Sequence, residues 1–127
     1  MFEKILVPLD GSEHSLRALE IAVQIAKKFD GKITLIHVYS AAVAPVMMPE
    51  PTTIAPPMVS VMTPIEVSKV AEASRRAGVG ILADGEQRVK AEGVPVETML
   101  KEGHTVQEII KTAKEGGFNL IVMGARG

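Results

Sequence analysis

The chain has 127 residues, 46% hydrophobic and 23% charged, which is the arithmetic of one domain able to bury a core of its own. It contains no cysteine, which excludes disulfide frameworks, thiolate metal centres and cysteine nucleophiles. A formal net charge of −1 gives no global field for nucleic acid or an anionic membrane, and three phenylalanines with one tyrosine make no base-stacking platform.

Ile5-Leu6-Val7 is a short apolar run without alternation, closed by Pro8 and Asp10-Gly11, the pattern of a strand covered on both faces. Leu16, Leu19, Val23, Ala26 and Phe29 then recur at helical spacing, with Ser12 placed to cap the helix and Gly31 to stop it. Ile33 to Tyr39, rich in β-branched residues, reads as a second strand, so the two strands are parallel members of a βαβ unit. Five prolines and four methionines follow between Pro45 and Met62, with Glu50 the only charge. Residues 41–63 are therefore expected to form a long loop, either a plain crossover excursion or a lid or docking segment using adaptable methionines.

Thr63-Pro64-Ile65-Glu66 has the capping-box form. The helix it starts is expected to reach about Glu92, with Val67, Val70, Ala71, Ala77, Ile81 and Val89 near one face. Gly78, Gly80 and Gly85 inside it each cost about 1 kcal/mol relative to alanine, which signals either close packing or a weak spot. Gly93-Val94-Pro95 ends the helix, and Val96 to Leu100 reads as a third strand. A second capping box, Thr105-x-x-Glu108, predicts a helix covering Val106, Ile109, Ile110 and Ala113, stopped by Gly116-Gly117. Phe118 to Met123 is the fourth strand, apolar at five of six positions as in a strand buried on both faces. The alternation specifies an α/β fold: an open, doubly wound, mostly parallel sheet with helices on both faces. No apolar run approaches the roughly 18 residues of a membrane span. The amino terminus carries no leader pattern, so the expectation is a cytoplasmic chain with one domain over residues 1–127 and neither membrane nor nucleic-acid partners.

Sheets of this kind bind ligands beyond the carboxyl ends of their strands, where the strand order reverses. Pro8-Leu9-Asp10-Gly11-Ser12 leads there into a helix N-terminus whose free amides favour anions, although an ordinary turn capped by Ser12 has the same letters. Gly124-x-x-Gly127, with Arg126 inside it, lets backbone and guanidinium approach phosphate oxygens, although it too serves as a plain turn. Gly78-Val79-Gly80-Ile81-Leu82-Ala83 matches the dinucleotide fingerprint on paper but follows no strand. Asp10, Ser12 and His14 do not make a hydrolase triad, because Ser12 is committed as a cap and no Gly-x-Ser-x-Gly elbow exists. His37 and His104 lack companions at metal-ligand spacing. No catalytic residue and no protein metal site is therefore assigned.

Three segments in register carry a family likeness: Lys4-Ile5-Leu6-Val7-Pro8-Leu9-Asp10-Gly11-Ser12, Leu35-Ile36-His37-Val38, and Asn119-Leu120-Ile121-Val122-Met123-Gly124-Ala125-Arg126-Gly127. Together they resemble the universal stress protein family in its ATP-binding branch, over almost the whole chain, with residues 41–63 as the variable part. The resemblance implies strand order 3-2-1-4-5, which sets Asp10 and the glycine loop on either side of one crevice. It implies that Asp10 and the Val38 backbone hold the adenosine part, that Pro8 and Leu9 line the pocket, and that Gly124, Arg126 and Gly127, with Met123 beside them, approach ribose and phosphates. The implied ligand is ATP, or AMP or ADP, accompanied by Mg2+ or Mn2+, and the implied assembly is a homodimer. The family motif runs Gly-x2-Gly-x9-Gly-Ser/Thr, and this sequence stops at its second glycine, before the family's fifth strand. The expected order is therefore 3-2-1-4, with the fourth strand awaiting a neighbour from residues beyond Gly127 or from another chain. The implied function is that of an ATP-binding stress-response sensor or regulatory module, with at most slow ATP hydrolysis. The alternative is a nucleotide-independent interaction module working through the Met/Pro-rich loop.

Overall fold

The computed structural model describes residues 3–40 and 64–124. Its elements run β1 (Lys4–Pro8), α1 (Glu13–Phe29), β2 (Lys32–Tyr39), α2 (Pro64–Ala91), β3 (Val96–Glu102), α3 (Thr105–Glu115) and β4 (Leu120–Ile121). All strand pairs are parallel and the sheet order is β3-β2-β1-β4. Ile5 of β1 lies opposite Ile33 and Leu120, and Leu6 lies opposite Thr34 and Ile121. Residues 41–63, including the Thr63 cap position, and the terminal Ala125, Arg126 and Gly127 lie outside the described residues. Among the described residues no helix is long and apolar enough to cross a membrane.

The unalternating run in β1 is explained by cover on both faces. Ile5, Val7, Leu9, Ile33 and Leu35 pack against Leu19, Ala22, Val23 and Ala26 of α1 and Leu82 and Val89 of α2. On the opposite face Leu6 and Ile36 meet Ile109 of α3, with Val38, Met99, Ala113 and Phe118 partly buried around them. Each fully buried aliphatic side chain contributes roughly 1.5–3 kcal/mol, so the central strands are the anchor of the fold.

Several local expectations are corrected. The α1 helix ends on Asp30, which adopts the left-handed conformation (φ 54°), and the Gly31 N–H closes the last turn on the Ala26 carbonyl at 2.8 Å. An Asx side chain tolerates that conformation, so the glycine is not needed for it. In α3 the N-cap is His104, without a side-chain cap bond, and Thr105 is the first helical residue. The capping box is therefore shifted out of register, and Val106 and Ile110 stand 66% and 48% exposed while Ile109 and Thr112 are buried. The buried stripe of α2 is Gly78, Leu82, Gly85 and Val89. Of the expected face only Val89 is fully buried, because two of the glycines draw the helix axis onto the sheet. A Cβ at Gly85 would come 2.5 Å from Leu9 Cδ1, and one at Gly78 would come 2.6 Å from His37 Cδ2. Gly80 has nothing within 4 Å, so close packing explains two of the three glycines and not the third.

β4 is shorter than its apolar run. Only Leu120 and Ile121 are ladder residues, although Asn119 N–H donates to the Lys4 carbonyl (2.9 Å) and Val122 N–H to the Leu6 carbonyl (3.0 Å). Lys4 N–H donates in turn to Asn119 Oδ1 at 3.0 Å, and the Lys4 ammonium bonds the Gly116 carbonyl above the Phe118 ring. Ile121 and Met123 are 38% and 54% exposed, so this strand is not covered on both faces by the described residues.

Candidate functional site

The turn from β1 into α1 is built from side chains bonding their own backbone. Leu9 N–H continues the ladder to the Ile36 carbonyl at 2.8 Å, and Gly11, at φ +84°, then reverses the chain. Asp10 Oδ1 accepts from Ser12 N–H at 2.8 Å, an Asx turn that delivers Ser12 to the N-cap. There its hydroxyl accepts from Ser15 N–H at 3.2 Å. Buried Ser15 returns its own hydroxyl to the Ser12 carbonyl at 2.9 Å. The carboxylate of Asp10 is left at the surface beside the first turn of a helix, where backbone N–H groups and the dipole favour an anion.

The end of the chain's fourth strand closes on this turn. A Cβ at Gly124 would stand 2.6 Å from the His14 carbonyl carbon and oxygen and 2.8 Å from Ser15 N. Gly124 is thus required by close approach to the protein's own backbone at the start of α1, before any ligand is considered. Between the two segments lies a cavity of about 140 Å³ at the carboxyl ends of β1 and β2. Pro8, Leu9, Asp10, Val38, Met123 and Gly124 all line it. The Leu9 side chain is nevertheless committed to the core, against Gly85. Arg126 and Gly127, expected on the phosphate side, lie outside the described residues.

Sequence reasoning missed the remaining wall. Ile36 sits on the floor, and Thr105 and Ile109 enter from the start of α3. The signal was available: β3 also ends at this edge of a parallel sheet, so the helix following it must begin there. The result is a slot with aliphatic walls and a carboxylate and helix amides at its mouth. Such a slot suits a flat apolar ring carrying hydroxyls and an anionic group.

A larger cavity, about 330 Å³, lies on the α3 face beside Lys4, Lys32, Glu97 and Phe118. Two of its three lysines are occupied, Lys4 by the Gly116 carbonyl and Phe118 and Lys32 by Glu97. It sits alongside the opening residues of β1 and β2, away from the switch point, and is a solvated sheet face. At the far end of β2, Tyr39 donates to Glu102 Oε2 at 3.3 Å. Burial first, and the neighbouring carboxylate second, push its phenol above the ordinary range. Among the described residues no group of His, Cys, Asp or Glu is placed to hold a metal ion.

A parallel sheet in the order 3-2-1-4, with a crevice between the first βα turn and the fourth strand, defines the class: an open doubly wound α/β domain with a crevice at its switch point. The universal stress protein family model matches residues 1–127, and the chain belongs to that family. Universal stress protein YxiE of Bacillus subtilis (strain 168) is 32% identical over 127 residues, 100% of this chain and 81% of that protein. A universal stress protein family protein from Arabidopsis thaliana, solved with AMP bound, superposes with a TM-score of 0.69 at 20% identity, over 98% of this chain and 78% of its own. A universal stress protein solved in complex with cAMP superposes with a TM-score of 0.62 at 23% identity, over 94% of this chain and 70% of its own. At these identities the two structures share its fold.

Proposed function

We propose that this chain is an adenine-nucleotide-binding regulatory module that takes ATP, or ADP or AMP, in the crevice between the β1–α1 turn and Gly124. The observation that carries the proposal is the convergence of the Asp10 carboxylate, the first turn of α1 and the close-packed Gly124 backbone on one aliphatic slot. Its support from other proteins is that two structures of the same fold hold AMP and cAMP. Both ligands join an adenine ring to a ribose and an anionic group, the chemistry for which the slot is suited.

In this assignment the base lies against Ile36, Val38 and Ile109 with its edge toward the Val38 backbone. Asp10 accepts from ribose hydroxyls, and Gly124, Arg126 and Gly127 approach the phosphates. Mg2+ or Mn2+ would enter on the phosphate oxygens, since divalent ions at nucleotides keep most of their ligands as phosphate and water. The crevice hydroxyls of Ser12 and Ser15 are engaged in the helix cap, and His37 Nδ1 bonds the Leu9 carbonyl. Thr105 and His14 also line the crevice, but no hydrogen bond joins them, so among the described residues no nucleophile–base pair is assembled, and the proposed role is binding and signalling with at most slow hydrolysis. The module is taken to act in the cytoplasm as a homodimer, with residues 1–127 as one domain.

Calorimetric titration of Asp10→Asn with ATP and AMP tests the proposal. Asparagine keeps an acceptor for Ser12 N–H and so preserves the turn, but it loses the charge. Asparagine also leaves the ribose a neutral acceptor, so the loss is the difference between a charge-assisted and a neutral hydrogen bond, about 1–1.5 kcal/mol, and affinity should fall roughly five- to tenfold while loss of the charge at the helix start lowers stability by no more than about 1 kcal/mol. Wild-type affinity in that variant would remove Asp10, and with it this crevice, from nucleotide binding.

A further inference from the structure

We propose that His37 is the positioning residue of the crevice: its imidazole grips the Leu9 carbonyl and thereby sets the Asp10 carboxylate. The consequence for affinity rests on the nucleotide assignment above, and the consequence for loop order does not. Ile36 and Val38 point toward α3, so His37, between them on β2, points to the opposite face, under α2. The ring is half-buried and its Nδ1 lies 2.7 Å from the Leu9 carbonyl oxygen. A carbonyl only accepts, so Nδ1 carries the hydrogen and donates. The site of this bond matters. Leu9 N–H makes a ladder bond to Ile36, and the chain then reverses through Asp10 and Gly11. The imidazole thus takes hold of the backbone one residue before the proposed ligand-binding carboxylate, just where strand pairing gives way to the turn.

The ring has a seat built for it. A Cβ at Gly78 would come 2.6 Å from His37 Cδ2 and 3.2 Å from Nε2, so α2 presses on the imidazole from behind. Asp10 is therefore suspended between two anchors. Upstream, His37 holds the Leu9 carbonyl; downstream, Ser12 N–H holds Asp10 Oδ1 at 2.8 Å and the Ser15 hydroxyl accepts from Asp10 N–H at 3.4 Å. The downstream anchors belong to the helix cap. The upstream one reaches this turn from a strand side chain, and it ties the turn's position to that of α2.

The test uses the full chain with His37→Phe, which keeps a ring and removes the donor, and His37→Asn, whose amide nitrogen falls where Nδ1 was. In ligand-free protein, amide hydrogen exchange at Ser12 and Ser15 should speed up about tenfold in His37→Phe and return toward wild type in His37→Asn. Exchange at Ile5, Leu6 and Val7 should stay unchanged in both. Titration with ATP and AMP should show affinity lowered roughly two- to tenfold in His37→Phe, the worth of one neutral hydrogen bond, and restored in His37→Asn. Wild-type exchange in His37→Phe, or a folded His37→Asn no better than His37→Phe, would overturn the proposal. Ring ¹⁵N shifts of the wild-type protein provide a reading that needs no variant to fold: hydrogen on Nδ1 supports the grip, and hydrogen on Nε2 alone overturns it. Failure of the wild type to bind either nucleotide would sink the nucleotide assignment and leave the exchange and ¹⁵N results to decide the role of His37.

Discussion

Replacing each glycine of α2 with alanine separates helix propensity from packing on a single helix. All three substitutions gain about 1 kcal/mol of helix propensity. At Gly80 nothing lies within 4 Å of the new methyl group, so the gain is realised in full. For a chain of 127 residues the melting temperature should rise by roughly 3–5 °C. At Gly85 the methyl carbon would come 2.5 Å from Leu9 Cδ1 and 3.0 Å from Leu35 Cδ1. Those side chains are 3% and 0% exposed and have no solvent into which to swing. Overpacking of this kind costs about 1–3 kcal/mol, so Gly85→Ala should come out between neutral and about 2 kcal/mol less stable. Gly78→Ala, meeting His37 and Leu100 at 2.6 and 2.8 Å, should fall in the same range. Urea unfolding followed by far-ultraviolet circular dichroism suits a chain without tryptophan. The packing account is wrong if Gly85→Ala stabilises as much as Gly80→Ala, or if Gly80→Ala destabilises.

Ser12→Ala should cost about 1 kcal/mol by removing the acceptor for Ser15 N–H, and Ser12→Asp should recover most of it; thermal melts check both. Tyr39 is the chain's only tyrosine, so phenolate absorbance reports it alone. Its native midpoint should lie above the ordinary value of 10.0, return there in denaturant and move partway back in Glu102→Gln. Because the native pKa is raised, the stability it contributes is fully present below the unfolded value and is lost as pH climbs through the native one. A native midpoint at or below the denatured one would contradict the influence of the Tyr39–Glu102 contact.

What could be read from sequence was local. Ser12 announced the start of α1, and the runs at Ile5 and Ile33 announced central parallel strands, because caps and unbroken apolar runs are properties of adjacent residues. Register errors arose where two local solutions compete. At α3 Thr105 fits both cap and first-turn positions, and the chain chose His104 as the cap. The α2 stripe was misplaced because glycine carries no hydropathy signal, yet Gly78 and Gly85 decide which face meets the sheet. In the candidate site the three segments bearing Asp10, Val38 and Gly124 could be named in advance. The grip of His37 on Leu9 could not, since it joins residues 28 apart through a ring whose orientation depends on α2. The contact of Gly124 with His14 was equally hidden; a glycine ending a strand looks the same whether it turns, binds phosphate or yields to a helix.

The clasp between Lys4 and Asn119 has a consequence in time. The two residues are 115 apart, although Lys4 begins β1 and Asn119 directly precedes β4, and those strands lie side by side. At ribosomal speeds of about 5–20 residues per second, β1 waits roughly 6–23 s for its second neighbour. Until then β1 can pair along one edge only, to β2, and its other edge is a template for unwanted strand addition. The crevice cannot exist earlier, because one of its sides arrives with β4 and Gly124. A ligand that binds there recognises only chains that have closed this edge, and by mass action it holds them closed. On the proposed nucleotide assignment, ligand present during synthesis would then raise the share of newly made chains that stay closed.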